Sequence, residues 1–450
     1  MKTLHLTVAN DCTLTGAPPE LVAALKKKLT LVNPKYRDAV KYARWVGRNL
    51  KKELHFYTLA DNEIRFPRGF GNQAVLLCRK MGWEVEVLDQ RRTLTPVDLA
   101  FTGSLRPYQE KACSAILARE FGVLEAATGS GKTVMAAAII AGRRQPALIL
   151  IHTKELLYQW QERIRTFLGL DAALIGDGSY AVGDVTIGLI NTVKKHLTEL
   201  PAQFGHIIVD ECHRTPSSMF TDIIKEFDCR FMLGLTATPM RRDGLTELIH
   251  WYIGDPVHSV SQQELDRHGA VLKPRIIVRP TAFTFNYRRN YQDLMAALTS
   301  DTARNELIAA DIAGEVKNDA GTALVVSDRV SHCETICRML ESRGLQPLLL
   351  TGRVAGEERA AIVSRVQQGE VTVLVATIQL IGEGFDCPGL TSLFLCTPIK
   401  FEGRLTQVIG RILRPAAGKE PKVFDYLDPV GVLKASARAR RLTYDLALFS

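Results

Sequence analysis

The sequence predicts an α/β protein in which two parallel-sheet domains follow a small α+β module. Three observations carry that prediction. From about residue 104, short, largely apolar runs alternate with longer amphipathic stretches: "GVLEAAT", "PALILIHT", "VTIGLINT", "HIIVDE" and "FMLGLTAT". Each run of four to eight residues ends in small or polar residues, as strands do when both faces of a parallel sheet are covered. The same texture returns after about residue 320 in "TALVVSD", "PLLLTG", "VTVLVAT", "TSLFLCTP" and "PKVFDYLD". The first hundred residues differ, with a strand-like "LHLTVAN", a helix-like "PELVAALKKKL" and a second strand, "EVEVLD".

These shifts divide the chain into residues 1–100, 101–260 and 261–450. The stretch "TAFTFNYRRNYQDLMAALTSDTARN" at 281–305 joins the two sheets, and no low-complexity linker or short-period repeat interrupts them. With 46% apolar and 23% charged residues, the composition excludes a disordered chain. The best apolar run, "VMAAAIIAG" at 134–142, is closed by "RRQP" and is too short for a membrane span. An alternating start without a signal-peptide core leads to the expectation of a cytoplasmic protein. Nine cysteines without a CxxC pair suit reduced thiols. Cys333 and Cys337 with His332 are a conceivable metal site; a buried helix face is the expected reading.

Residues 1–100 hold 17 Lys and Arg against 10 Asp and Glu, so most of the formal charge of +9 sits at one end of the chain. A basic module suggests a polyanionic partner. "KKK" at 26–28 and "KK" at 51–52 also fit a solvated face kept for solubility, and composition does not choose between these.

"EAATGSGKT", residues 125–133, lies between a strand and a helix. Glycines let backbone N–H groups approach phosphates, Lys132 reaches the β and γ oxygens, and Thr133 offers a hydroxyl to Mg²⁺. Thr128, Gly129, Ser130, Gly131, Lys132 and Thr133 are therefore the expected ATP-binding residues. Ala126 stands where the strict pattern has Gly. Asp210 and Glu211 close the apolar "HIIVDECH" strand, with 77 residues between Lys132 and Asp210. Strand carboxyl ends gather ligands in such sheets. Asp210 is expected to hold Mg²⁺ through water, and Glu211 to orient and activate the attacking water.

With these motifs the sequence resembles a superfamily 2 helicase over about 105–415. The resemblance implies two tandem RecA-like motor domains. It implies that Gln109 of "LRPYQEKA" reads adenine and that "LILIHTKELLYQW" and "GLINTV" touch the nucleic-acid backbone. It also implies that His213 and the "TAT" residues Thr236 and Thr238 relay nucleotide state. "ATIQLIGEGFDCP", with Thr377, Gly384 and Asp386, looks like the coupling motif of the second domain. "QVIGRILR", with Gln407, Arg411 and Arg414, looks like the terminal motif. Arginines brought in by a second domain stabilise charge on a transferring phosphoryl group only when the domains close, and closing and opening would step the protein along a strand.

"DECH" and a terminal motif that begins with Gln are unlike the DEAD-box RNA helicases. The combination is most similar to XPB-type DNA helicases and phage branch-migration helicases of the UvsW type. It implies an ATP-dependent DNA helicase or translocase acting on duplex, forked or branched DNA with single-stranded regions. The expected setting is a bacterial or phage-infected cell, with replication or repair proteins as further partners. XPB-type proteins carry Arg-Glu-Asp after TAT; Arg241, Arg242 and Asp243 replace it here, leaving both a DNA contact and a solvated turn open. Residues 283–303, with Phe285, Tyr287, Arg288, Arg289 and Tyr291, resemble a thumb-like insertion that stacks on bases, or else pack a linker. "NPKYRDAVKYARW" and "RFPRGF" would supply DNA contacts from the first hundred residues. An ATP-switched DNA-binding protein that does not travel, and an RNA helicase, are the alternatives.

Overall fold

The computed structural model describes residues 3–448 except 42–44, 47–49, 215–216, 238–243, 269–271, 289, 319–320, 355, 382–388, 400–404, 406–407, 411 and 414–418. It divides into two compact units, one of residues 1–127 and 131–260, the other of residues 261–450 together with Thr128–Ser130. Among the described residues no helix is long and apolar enough to cross a membrane.

The first unit opens with a five-stranded sheet of β1 (Thr3–Val8), β2 (Asp11–Thr15), β3 (Thr58–Ala60), β4 (Glu63–Pro67) and β5 (Glu84–Asp89), ordered β3-β4-β2-β1-β5. Only β1 and β5 pair in parallel. Alternate residues of β1 and β2 are buried, as the sequence alternation requires of a sheet covered on one face. Leu4 and Leu6 share a core with Leu21 and Leu25 of α1 (Pro19–Lys28) and Ala74 and Cys78 of α2 (Gly71–Lys80).

The second sheet of this unit contains β6 (Phe121–Ala126), β7 (Ala147–Ile151), β8 (Ala173–Gly176), β9 (Ser179–Tyr180), β10 (Val185–Leu189), β11 (His206–Val209), β12 (Phe231–Thr236) and β13 (Pro256–Val260). Its order is β9-β8-β10-β7-β11-β12-β6-β13, parallel throughout except for the short β9. Every residue of β7 and β11 is buried, which is why these strands read as unbroken apolar runs. The helices that matter for the site are α3 (Pro107–Leu117), α4 (Lys132–Arg143), α5 (Lys154–Leu168) and α6 (Glu247–Ile253).

The two sheets of the first unit meet through a shared core. Leu248 and Trp251 of α6, with Leu245 just before it, pack among the buried residues of the amino-terminal sheet. Trp251 lies edge-on to Phe70, with ring centroids 6.2 Å apart. Gly69 presses against the backbone at the end of α6, where a Cβ would fall 2.4 Å from the carbonyl oxygen of His250, so no side chain fits. Buried Arg68 donates through Nη1 to the carbonyl oxygens of Cys229 at 2.7 Å and Phe227 at 3.3 Å. Arg68→Met should leave both carbonyls unpaired, at about 1–3 kcal/mol each. A fall of that order in unfolding free energy in urea is the expected result; an unchanged midpoint would show that the joint contributes nothing.

The second unit contains β14 (Arg275–Pro280), β15 (Thr322–Ser327), β16 (Leu348–Leu350), β17 (Val373–Thr377), β18 (Leu390–Leu395) and β19 (Lys422–Leu427). They form a parallel sheet in the order β14-β19-β18-β15-β17-β16. Four helices bear on the sequence reading: α7 (Tyr291–Ser300), α8 (Thr302–Asn318), α9 (Val330–Glu341) and α10 (Gly431–Leu448). Cys333 and Cys337 lie on the buried face of α9 with Ile336 and Leu340. The His332 ring nitrogens are bound to Ser327 Oγ and Asn305 Oδ1, both at 2.9 Å, and burial lowers its pKa to about 3. Phe285, Tyr287 and Tyr291 pack against a small core of Phe283, Leu294, Met295, Leu298, Val430 and Leu433. These aromatic side chains therefore support a local core, while Arg288 is exposed.

Candidate active site

The carboxyl ends of β11, β12 and β6 lie side by side because those strands are neighbours in the sheet. Each delivers one part of the site. After β6 the chain turns through Thr128, Gly129 and Ser130 to Gly131, which caps α4. Gly129 and Gly131 have φ of 88° and 82°, in the left-handed region that favours glycine. A Cβ on Gly131 would also stand 2.5 Å from Gln109 Nε2. Gln109 is held in place because its Oε1 accepts from the backbone N–H of Arg106 at 2.9 Å, at the amino-terminal end of α3. Ser130 is buried, and Thr133 is half-buried in the first turn of α4.

Lys132 is the first residue of α4, where unpaired backbone N–H groups favour an anion. Its Nζ donates to the carbonyl oxygen of Ala126 at 3.2 Å and lies 3.9 Å from Glu211 Oε1. The lysine thus bridges the phosphate loop and the acid pair.

Asp210 follows the last residue of β11 and is buried. Its Oδ2 accepts from Trp160 Nε1 at 2.8 Å, and its Oδ1 from the backbone N–H of Glu211 at 2.9 Å. Burial, then the neighbouring Glu211 charge, raises Asp210 above the usual carboxylate range against the opposing effects of the Trp160 hydrogen bond and Lys132. Glu211 has φ of 46°, a conformation that strains any residue with a Cβ and recurs at functional sites. From that turn Oε1 faces Lys132 and Oε2 stands 3.3 Å from His213 Nδ1. The same Nδ1 is 2.8 Å from Thr236 Oγ1 at the end of β12. Burial lowers His213 to about 4, so near pH 7 the imidazole is neutral and bonds Thr236, with the Glu211 carboxylate beside it.

These groups fit a magnesium nucleotide. The donors are hard oxygens, and Mg²⁺ is commonly bound by one or two carboxylates together with substrate phosphates. Among the described residues no group of three His, Cys, Asp or Glu could enclose an ion without such phosphates. The glycine turn leaves backbone room where a side chain would close the loop.

Residues 102–241 match the family model described as "Type III restriction enzyme, res subunit", and residues 304–416 match "Helicase conserved C-terminal domain". The two occur in tandem on two parallel sheets, the first carrying the phosphate loop and acid pair. The chain belongs to the superfamily 2 helicases. This helicase is 27% identical over 382 residues to "Probable helicase D10" of Escherichia phage T5, covering 81% of this chain and 80% of that protein. It is 27% identical over 353 residues to "DNA 3'-5' translocase XPB2" of Sulfurisphaera tokodaii, covering 69% of this chain and 78% of that protein. It is 24% identical over 446 residues to "ATP-dependent DNA helicase uvsW" of Enterobacteria phage T4, covering 91% of this chain and 86% of that protein.

In this helicase, Gln109, Thr128, Gly129, Ser130, Gly131, Lys132, Thr133, Asp210, Glu211, His213 and Thr236 fall on α3, the phosphate loop and three adjacent strand ends. Thr377 is buried at the end of β17 in the second unit. Thr238, Arg241, Arg242, Asp243, Gly384, Asp386, Gln407, Arg411 and Arg414 lie outside the described residues. Trp160 was missed by sequence reasoning, which took the whole "LILIHTKELLYQW" segment as backbone-contacting. Leu157, Trp160, Ile164 and Leu168 recur at helical spacing and form the buried face of α5. That spacing signals a core position, and a buried indole N–H needs an acceptor. On the exposed side of α5, Tyr158 OH donates to Asp177 Oδ2 at 2.7 Å and Lys154 pairs with Asp177 Oδ1.

Proposed function

We propose that the protein is an ATP-dependent DNA helicase or translocase that remodels duplex, forked or branched DNA in replication, recombination or repair. The observation that carries the reading is the row of Lys132, Glu211, His213 and Thr236, which lines up a nucleotide-phosphate grip with a strand end at successive separations of 3.9, 3.3 and 2.8 Å. Lys132 binds and orients the terminal phosphates. Glu211 holds a water in line with the γ-phosphorus and takes its proton as the water oxygen bonds to phosphorus and the bond to the ADP oxygen breaks. Mg²⁺, held by Thr133 and through water by Asp210, would neutralise charge on the phosphate oxygens. His213 and Thr236 pass a change at Glu211 to the segment that follows β12, where Thr238, Arg241, Arg242 and Asp243 are read as coupling and DNA-contact residues.

Residues 1–100 are assigned to DNA binding through their charge, 101–260 to the ATP-binding motor domain and 261–450 to the second, with Thr377, Gly384, Asp386 and Gln407 in coupling roles. DNA is favoured as substrate by the basic amino-terminal region and by two relatives named for DNA. The expected setting is the cytoplasm of a bacterial or phage-infected cell. Arg411, with Arg414, is assigned to charge stabilisation on the transferring phosphoryl group. Arg411→Ala should spare ATP binding and cut DNA-stimulated hydrolysis by about 10³ to 10⁵, with a smaller fall in the basal rate. Equal falls in both rates, or near-wild-type stimulation, would refute that role.

The deciding experiment compares ATPase rate and strand release on single-stranded, duplex, forked and four-way DNA and on RNA. Strongest stimulation and release with forked or four-way DNA is the expected result. Stimulation by RNA alone would overturn the DNA assignment, and DNA-dependent hydrolysis without movement or strand release would leave a stationary switch.

A further inference from the structure

Asp210 is gripped at both oxygens by N–H donors of different origin. The Glu211 backbone is its chain neighbour and holds Oδ1 at 2.9 Å. Trp160 comes from the middle of α5, fifty residues away, and holds Oδ2 at 2.8 Å. A buried helix face needs an apolar side chain at position 160, and Leu157, Ile164 and Leu168 meet that need on either side. It does not need a hydrogen-bond donor. Trp160 is 2% exposed, and its N–H donates to this acceptor.

Two donors on two oxygens set the plane of a carboxylate as well as its position. One lone-pair direction on each oxygen is taken up by protein, which fixes the carboxylate against rotation. We infer that Trp160 is a positioning residue for magnesium: its indole N–H orients Asp210 so that the carboxylate engages the hydrated ion that arrives with the nucleotide. This rests on the reading of Asp210 as the magnesium-side acid. Hydrogen bonds of this kind to metal-side ligands are worth about 10- to 100-fold in metal affinity.

The test measures binding of a non-hydrolysable ATP analogue by calorimetry, with Mg²⁺ and with EDTA, in the full chain. Trp160→Phe keeps an aromatic ring and removes the N–H. Its affinity without metal should equal that of the unaltered protein, while the gain in affinity brought by Mg²⁺ should shrink by about tenfold or more. The Mg²⁺ concentration that half-saturates hydrolysis should rise by a similar factor, with the rate at saturating Mg²⁺ little changed. Should Trp160→Phe fail to fold, incorporation of the benzothiophene analogue of tryptophan at 160 preserves shape and replaces the N–H with sulfur. Either form showing unaltered Mg²⁺ coupling would overturn the inference. So would an equal loss of affinity with and without metal, which marks a packing defect. Asp210→Asn separates the two levels: if it keeps full Mg²⁺ coupling, the reading of Asp210 fails; if it loses coupling while Trp160→Phe does not, only the role of Trp160 fails.

Discussion

Glu211→Gln is expected to bind ATP normally and to hydrolyse it about 10² to 10⁴ times more slowly, the range that a positioned general base contributes. The substitution keeps the length of the side chain and removes its ability to accept a proton. Gln at 211 must adopt the same left-handed backbone, with φ of 46°, so the turn that aims the side chain carries the same strain in both forms. Lys132, 3.9 Å from Oε1, loses its partner charge but keeps its bond to the Ala126 carbonyl oxygen and stays available to phosphates. The variant should therefore accumulate in its ATP-bound form on DNA. Single-turnover hydrolysis together with equilibrium nucleotide binding provides the measurement. Weaker ATP binding with normal turnover would contradict the role assigned to Glu211.

Lys132→Ala should damage the site in a second way, because it removes both nucleotide grip and charge stabilisation. The expected loss of hydrolysis is at least about 10²- to 10³-fold, the effect of deleting one preorganised donor to developing oxygen charge. Stability should suffer little, since the hydrogen bond given up to Ala126 is worth about 1 kcal/mol. The acid pair also feels the change. Lys132 is among the groups that hold Asp210 down against burial and the Glu211 charge, so its loss should raise the Asp210 pKa further. Thermal melting should match that of the unaltered protein while hydrolysis disappears. Wild-type turnover in Lys132→Ala would dismantle the active-site assignment.

The parts of this site that were legible in the sequence share one property: each is local. The glycines at 129 and 131, Lys132 and Thr133 form a loop whose chemistry is contained in nine consecutive residues. Asp210 and Glu211 end an apolar run whose burial on both faces could be read from the run itself. Gln109 sits within one helical turn of the residue it caps.

What the sequence by itself determined is the alternation of strands and helices after about residue 104, the parallel character of the two later sheets and the candidate site residues at loop and strand ends, because periodicity, turn residues and strand ends are properties of short segments. Only the tertiary structure decided the contacts between distant segments. Trp160 reads as one more apolar residue on a helix face until β7 and β11 are adjacent, and that adjacency brings its N–H to Asp210. Arg68 reads as one basic residue in "RFPRGF", yet folding buries it against the carbonyl oxygens of Phe227 and Cys229, about 160 residues on. The aromatic residues of 283–291 read as equally suited to bases or to packing, and Phe285, Tyr287 and Tyr291 pack, partly buried, against a core that holds Phe283, Leu294 and Val430. In each case the side chain's chemistry is ambiguous alone, because burial and partner are set by which elements become neighbours, and that depends on free energy summed over the whole fold.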